Sequence, residues 1–191
     1  MIFSQTDRLA LRVLEKNELP RLVKLFDVWD VVRLLEVVPY PYTMKDAEEF
    51  YANIEPCYRA GEPQFYAMAL KSDNLLIGGV GLHAPRGSDS AEGDVELGYW
   101  LGKDFWGQGL MTEAARVVLG IGFARSATRA IVATTAPNNR ASQNVLAKIG
   151  LRNLGPAPRD YTALRGNDEV VKWQITREEY EAKRVEDKTI R

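Results

Sequence analysis

The chain holds one cysteine, Cys57, and one histidine, His83, among its 191 residues. A lone cysteine closes no internal disulfide, so the disulfide scaffold of a small secreted domain is excluded. One Cys and one His do not supply the ligand set of a usual zinc site, and no metal is expected. A Ser-His-Asp hydrolase would have to use His83, yet no Gly-x-Ser-x-Gly elbow accompanies it. Excess charge of one sign is also missing: 25 Lys and Arg stand against 26 Asp and Glu, a net charge of -1. That leaves no electrostatic footprint for non-specific nucleic-acid binding, and no nucleic-acid partner is expected. No apolar run approaches the roughly 18 residues of a membrane span. The first residues, MIFSQTDRLALRV, alternate apolar and charged types and lack the basic start and apolar core of a signal peptide. The expectation is a soluble, cytoplasmic protein with no membrane partner.

What is present fits one globular domain over 1–191, with a core at about 6–176 and a charged C-terminal helix or tail at 177–191. Hydrophobic residues make up 46% and charged residues 27%, enough of each for a buried core under a solvated surface. Residues 6–14 alternate and read as a half-buried strand, with Leu9, Leu11 and Val13 on one face and Arg8 and Arg12 on the other. A short helix over 18–26 follows, and a second is open over 29–38. Thr43 with Asp46 forms a capping box for the next helix, whose apolar stripe is Phe50, Ile54 and Cys57. Pro56 predicts a kink or restart there, and Gly61 a stop. Strands over 64–70 and 75–82 flank a polar turn. A strand over 95–101, a helix over 110–124 and a strand over 130–135 come next. Asn139 or Asn138 caps a helix that Gly150 closes. Strands over 151–168 are short or irregular, 170–175 is a last strand, and Thr176 opens a charged helix. The order predicts an α+β fold: one mixed, mostly antiparallel sheet of about seven strands flanked by helices.

The most informative stretch joins the strand over 95–101 to the helix over 110–124. Glycines at 102, 107 and 109 let the backbone come close to a ligand, and the first free amides of a helix carry positive potential. The turn is not a nucleotide P-loop, because no Gly-Lys-Ser/Thr follows, nor is it GxGxxG. By spacing alone it is either an ordinary two-glycine turn or an anion cradle. The whole series does more: aromatic-Gly-x-Gly turn, long helix, strand, Asn139-Arg140-Ala141-Ser142, and Lys148-Ile149-Gly150-Leu151. It resembles the GCN5-related N-acetyltransferase family from about Thr6 to Tyr180. Trp106-Gly107-Gln108-Gly109-Leu110-Met111-Thr112-Glu113-Ala114 is similar to the turn of the ribosomal-protein alanine and serine N-terminal acetyltransferases. Arg8-Leu9-Ala10-Leu11-Arg12 and Pro41-Tyr42-Thr43 match as well. Met111 departs from the alanine usual there, which puts a side chain near the pyrophosphate.

The resemblance implies a sheet splayed at a bulge on its fourth strand, the one over 95–101. Backbone groups of Tyr99, Trp100 and Leu101 would pair with the pantetheine arm of acetyl-CoA. Amides of Trp106, Gly107, Gln108, Gly109, Leu110 and Met111 would hold its pyrophosphate. Asn139 would contact the cofactor arm, or simply cap its helix; Asn144 is a further polar contact. Ser142 would protonate the leaving thiolate, or merely face solvent. Glu96 is the candidate base for the attacking amine, sharing a strand face with Gly98 and Trp100, or else an exposed strand carboxylate. Glu92 and Asp94 are neighbouring acids. Asp160 or Tyr161 stands where the subgroup carries another candidate acid. Tyr40, Tyr42 and Trp29 would shape the acceptor pocket, or be packing. His83 is structural or lies near the acceptor.

The implied activity is acetyl transfer from acetyl-CoA to a primary amine, a protein or peptide N-terminus by the subgroup likeness. A small-molecule amine, such as an antibiotic or a polyamine drawn by Glu92, Asp94 and Glu96, is the near alternative. A non-catalytic acetyl-CoA-binding module and a nucleotide-binding protein are rivals from other classes. The charged last helix is a solvated face, or the contact surface of a homodimer.

Overall fold

The computed structural model describes residues 1–86, 90–158 and 169–189. Strands β1 (Ile2–Gln5), β2 (Leu9–Arg12), β3 (Phe65–Leu70), β4 (Leu76–His83), β5 (Asp94–Leu101), β6 (Ala130–Thr135), β7 (Arg152–Pro158) and β8 (Glu169–Thr176) form one sheet. Their spatial order is β1-β2-β3-β4-β5-β6-β8-β7, and only the β5–β6 pair is parallel. Helices α1 (Leu19–Phe26), α2 (Trp29–Val32) and α3 (Met44–Arg59) precede β3. Helix α4 (Leu110–Ala124) links β5 to β6, α5 (Arg140–Lys148) links β6 to β7, and α6 (Arg177–Thr189) follows β8. No helix of the described residues is long and apolar enough to cross a membrane.

Two apolar clusters cover the two faces. One packs α4 and α5 on the sheet through Leu97, Leu101, Met111, Val118, Ile131 and Leu146. The other packs α1 to α3 through Leu22, Phe26, Val32, Ile54 and Tyr58. The capping box of α3 forms as the sequence predicts: the Thr43 hydroxyl accepts from the Asp46 amide at 3.3 Å, and the Asp46 carboxylate accepts from the Thr43 amide at 2.7 Å. Thr176 and Glu179 do the same for α6, at 2.9 and 3.2 Å.

Several expectations change. A further strand, β1, precedes the one expected over 6–14, which itself shortens to β2, and the count rises from about seven to eight. Thr6 turns the chain between the two: its amide donates to the Leu9 carbonyl and its hydroxyl accepts from the Leu9 amide, both at 2.9 Å. Nor is β2 half-buried. All four residues are buried, and Arg12 is held inside by Glu18 at 2.7 Å and the Asn74 side chain at 2.9 Å. Helix α3 runs unbroken past Pro56, which is exposed and so loses one backbone bond at a solvated site. Of 29–38 only Trp29–Val32 is helical.

Candidate active site

Strand β5 creates the site by leaving its neighbour. It pairs with β4 from Glu96 to Leu101, but with β6 only at Asp94, Val95 and Glu96. Neither pairing shows a register shift, so the expected splay forms without a bulge. Beyond Glu96 both strands line one cavity of about 870 Å³, Leu97 to Leu101 from one side and Ala133 to Thr135 from the other. The cavity reaches Gly107, Gly109 and Met111 at one end, and Val37, Phe50 and Ile54 at the other.

At the first end, Gly107 and Gly109 have φ of 74° and 75°, which glycine alone adopts cheaply. A Cβ on Gly107 would stand in open space. The first intrahelical bond of α4 runs from the Glu113 amide to the Gly109 carbonyl at 3.1 Å. The amides of Leu110, Met111 and Thr112 therefore precede the helical ladder, at its positive end. A diphosphate fits such a cradle, and the unpaired edge of β5 fits an extended amide-bearing arm. Met111 is 7% exposed and packs mostly into the core under α4, while it also lines the cavity.

Several groups in and beside this turn are engaged within the chain. The Trp106 amide is spent on the Lys103 carbonyl at 3.1 Å, closing the 3-10 turn Lys103–Phe105. The Trp106 indole donates to the Leu101 carbonyl at 2.7 Å, so that carbonyl is already engaged as well. Gln108 does not line the cavity; its side chain donates to the Asp104 carbonyl at 3.1 Å. Its own carbonyl accepts from Arg8 at 2.9 Å.

At the crossing, Glu96 is buried and lines the cavity. One carboxylate oxygen accepts from the Thr134 hydroxyl at 3.2 Å, the other from the Arg86 amide at 3.1 Å. His83 pairs with Glu96 across β4 and β5, and its Nδ1 stands 3.9 Å from that carboxylate. Gly79, Gly81, Gly98 and Trp100 share this face of the two strands, with Gly79 opposite Trp100 and Gly81 opposite Gly98. A Cβ on Gly79 would strike the Phe65 ring at 2.3 Å, and one on Gly81 the Gln64 carbonyl at 2.2 Å. The glycines thus bring Phe65 and Gln64 down onto the strands. The sequence carried that signal as Gly78-Gly79-Val80-Gly81 inside a strand, where glycine marks close approach.

On the opposite face the Tyr99 hydroxyl meets the Ser142 hydroxyl at 2.8 Å. Burial pushes the Tyr99 phenol well above its ordinary value, against a smaller opposite effect of the Ser142 bond. Asn139 caps α5, its Oδ1 accepting from the Ser142 amide at 3.1 Å, and it also lines the cavity, as does Asn144.

The remaining candidates divide. Tyr42 lines the cavity; Tyr40 does not, being exposed and set edge-on against Trp29 at 5.2 Å. Asp94 turns away to Arg129 at 2.7 Å, and Glu92 is exposed outside the cavity. Of the three acids invoked for a polyamine, only Glu96 lines it. Cys57 is half-buried in α3. Asp160 and Tyr161 lie outside the described residues.

A parallel pair parted beside a glycine turn at a helix N-terminus leaves room for an extended ligand with an anionic end, and the sequence comparison gives the family. The chain belongs to the GNAT acetyltransferase family: the model of its acetyltransferase (GNAT) domain matches residues 8–152. An uncharacterized N-acetyltransferase, p20 of Bacillus licheniformis, is 25% identical over 176 residues, 92% of this chain and 96% of that protein. A solved GNAT-family acetyltransferase from Bacillus anthracis is similar in fold, with a TM-score of 0.77 at 22% identity over 91% of this chain and 98% of that one. So is RimL, a ribosomal L7/L12 α-N-protein acetyltransferase solved with coenzyme A, at 0.73 and 17% over 92% and 98%.

Proposed function

We propose that this protein moves an acetyl group from acetyl-CoA to a primary amine, and that the acceptor is the N-terminal amine of a peptide or protein. The observation that carries the reading is the single continuous cavity. It starts at the free amides of α4, follows the unpaired edge of β5, and opens past Glu96 into an arm walled by α3 and the segment after α2. The α4 amides would hold the diphosphate, and the backbone of Tyr99 and Trp100 the pantetheine. Glu96 draws the ammonium to the crossing. The ammonium gives up a proton to a base at the crossing, the freed lone pair attacks the thioester carbonyl, and the thiolate leaves towards the Ser142 hydroxyl, which Tyr99 orients. Asn139 would serve both as cap and as a contact to the cofactor arm, with Asn144 beside it.

The acceptor arm favours a peptide over a polyamine. Leu34, Val37, Val38, Phe50 and Ile54 give it apolar walls, and its acids Glu36, Asp46 and Glu49 are joined by Arg33 and Arg86. An extended chain with one terminal cation suits that lining better than several cations in a row. RimL, similar in fold, is named for acetylation of a protein α-amine.

The test mixes purified protein and acetyl-CoA with short peptides, spermidine and an aminoglycoside, and follows free thiol. Release with peptides, and mass spectra placing the acetyl on the α-amine, is expected. Release with spermidine or the aminoglycoside alone defeats the peptide assignment. Tight CoA binding with no release from any amine defeats catalysis and leaves a binding module.

A further inference from the structure

We propose that His83, not Glu96, takes the proton from the acceptor ammonium, while the Ala84 carbonyl fixes the imidazole and Glu96 balances its charge. The inference rests on the acetyl-transfer reading above. Both oxygens of Glu96 already accept hydrogen bonds, from Thr134 at 3.2 Å and the Arg86 amide at 3.1 Å. Its side chain is 8% exposed, that of His83 26%. The histidine is the more open of the two.

The imidazole is also in the right form. Nδ1 stands 2.9 Å from the Ala84 carbonyl oxygen, which can only accept. Nδ1 therefore carries the hydrogen of the neutral ring, and the lone pair is on Nε2. Nε2 lies 3.2 Å from where a Cβ on Gly98 would be. Gly98 lines the cavity on the stretch of β5 that has parted from β6. Its missing side chain leaves Nε2 open to the crossing. Among the described residues, the charged groups around the ring are the Glu96 carboxylate on β5, 3.9 Å from Nδ1, and Arg86 in the loop after β4, which lines the same cavity.

The step balances. The ammonium N–H bond breaks and its proton passes to Nε2, giving an imidazolium beside the Glu96 carboxylate. The freed lone pair forms the N–C bond to the thioester carbonyl carbon. The C–S bond then breaks, the thiolate keeps its electron pair and is protonated, and His83 returns its proton to solvent.

His83 is the only histidine of the chain, so ¹⁵N NMR of histidine-labelled protein reads a single imidazole. A neutral form protonated at Nδ1 is expected. A neutral form protonated at Nε2 overturns the proposal. In initial-rate assays His83→Gln should lose roughly 10²–10⁴-fold in kcat, keep its CoA affinity, and lose the rising limb of the kcat–pH profile. A His83→Gln enzyme that keeps that limb and most of its rate returns the proton to Glu96. Absence of thiol release by the wild type with every amine defeats the acetyl-transfer reading instead, and leaves the NMR result to decide the tautomer.

Discussion

Removing the Arg8 side chain should weaken CoA binding from outside the cavity. Arg8 ties the start of the chain to the turn. Its Nε donates to Glu113 at 2.7 Å, its backbone amide to the other Glu113 oxygen at 3.2 Å, and its Nη1 to the Gln108 carbonyl at 2.9 Å. The bond to Gln108 turns that carbonyl outward, away from the cradle. The ion pair also occupies a carboxylate in the first turn of α4, where an unpaired anion would repel a diphosphate. The side chains are 49% and 21% exposed, so the pair belongs near the top of the surface range, about 1 kcal/mol. The charged bond to Gln108, half in solvent, adds about 1 kcal/mol.

Arg8→Ala should therefore cost about 1–2 kcal/mol of stability, a fall of about 2–8 °C in Tm for a chain of this size. If about 1 kcal/mol of that is loop order which CoA must restore, Kd rises about fivefold. Calorimetric titration with CoA measures it, and S-acetylpantetheine, which lacks the diphosphate, is the control and should be unaffected. Equal losses for both ligands, or a CoA Kd within about twofold of wild type, refute the reasoning. The pH dependence gives a second check. Burial alone would raise the Glu113 carboxyl, but hydrogen bonds from Thr6 and Arg8 outweigh it and hold it below the usual glutamate value. A depressed folded pKa stabilises fully above about 4.5, and that contribution is lost as pH falls through the folded value. Urea melts of Arg8→Ala should accordingly differ less from wild type in acid than at neutral pH.

Gly79→Ala puts a Cβ 2.3 Å from the Phe65 ring and 2.9 Å from the Trp100 indole nitrogen. Displacing those rings should cost about 1–3 kcal/mol and raise KM for the acceptor, with CoA affinity unchanged by calorimetry. Tyr99→Phe removes the 2.8 Å contact to Ser142, for about 1 kcal/mol in urea melts and a fall in kcat. Because burial holds the phenol neutral, its removal should leave the shape of the kcat–pH profile unchanged between about pH 6 and 9.

What could be read from the sequence was local. The Thr43–Asp46 and Thr176–Glu179 boxes span four residues each, and both form. The strand–turn–helix order around Gly109 is equally local, and the glycine turn forms at the start of α4 as expected. The roles within it were not local. Trp106 reads as a member of the anion turn, but its amide goes to Lys103 and its indole to Leu101. Arg8 lies 105 positions from Glu113, and no periodicity signals such a pair. The surroundings of Glu96 come from Arg86 and Thr134, 10 and 38 positions away. Even the alternation of residues 6–14 misled. It carries the inward faces of β2 but not the Thr6 turn, and it marked Arg12 as outward because Glu18 and Asn74, which bury it, are elsewhere in the chain.

The two ends of the site stand on different supports. Leu97, Tyr99 and Leu101 of β5 pack with α4 and α5 in one cluster, while Trp100 packs with Phe26 and Phe65 in the other. A single strand therefore presents the cofactor side with one face and the acceptor side with the next residue, and the cavity passes between them only because β5 has left β6. Arg8 acts on α4 through Glu113, and Gly79 acts on Phe65 and Trp100. The two sets of neighbours have no residue in common, so the free energies should add. The double variant Arg8→Ala with Gly79→Ala should show the CoA Kd of the first and the acceptor KM of the second. A CoA Kd in the double variant that departs from the Arg8→Ala value by more than about 0.5 kcal/mol would mean that β5 transmits strain between its faces, and that the cavity responds as one unit.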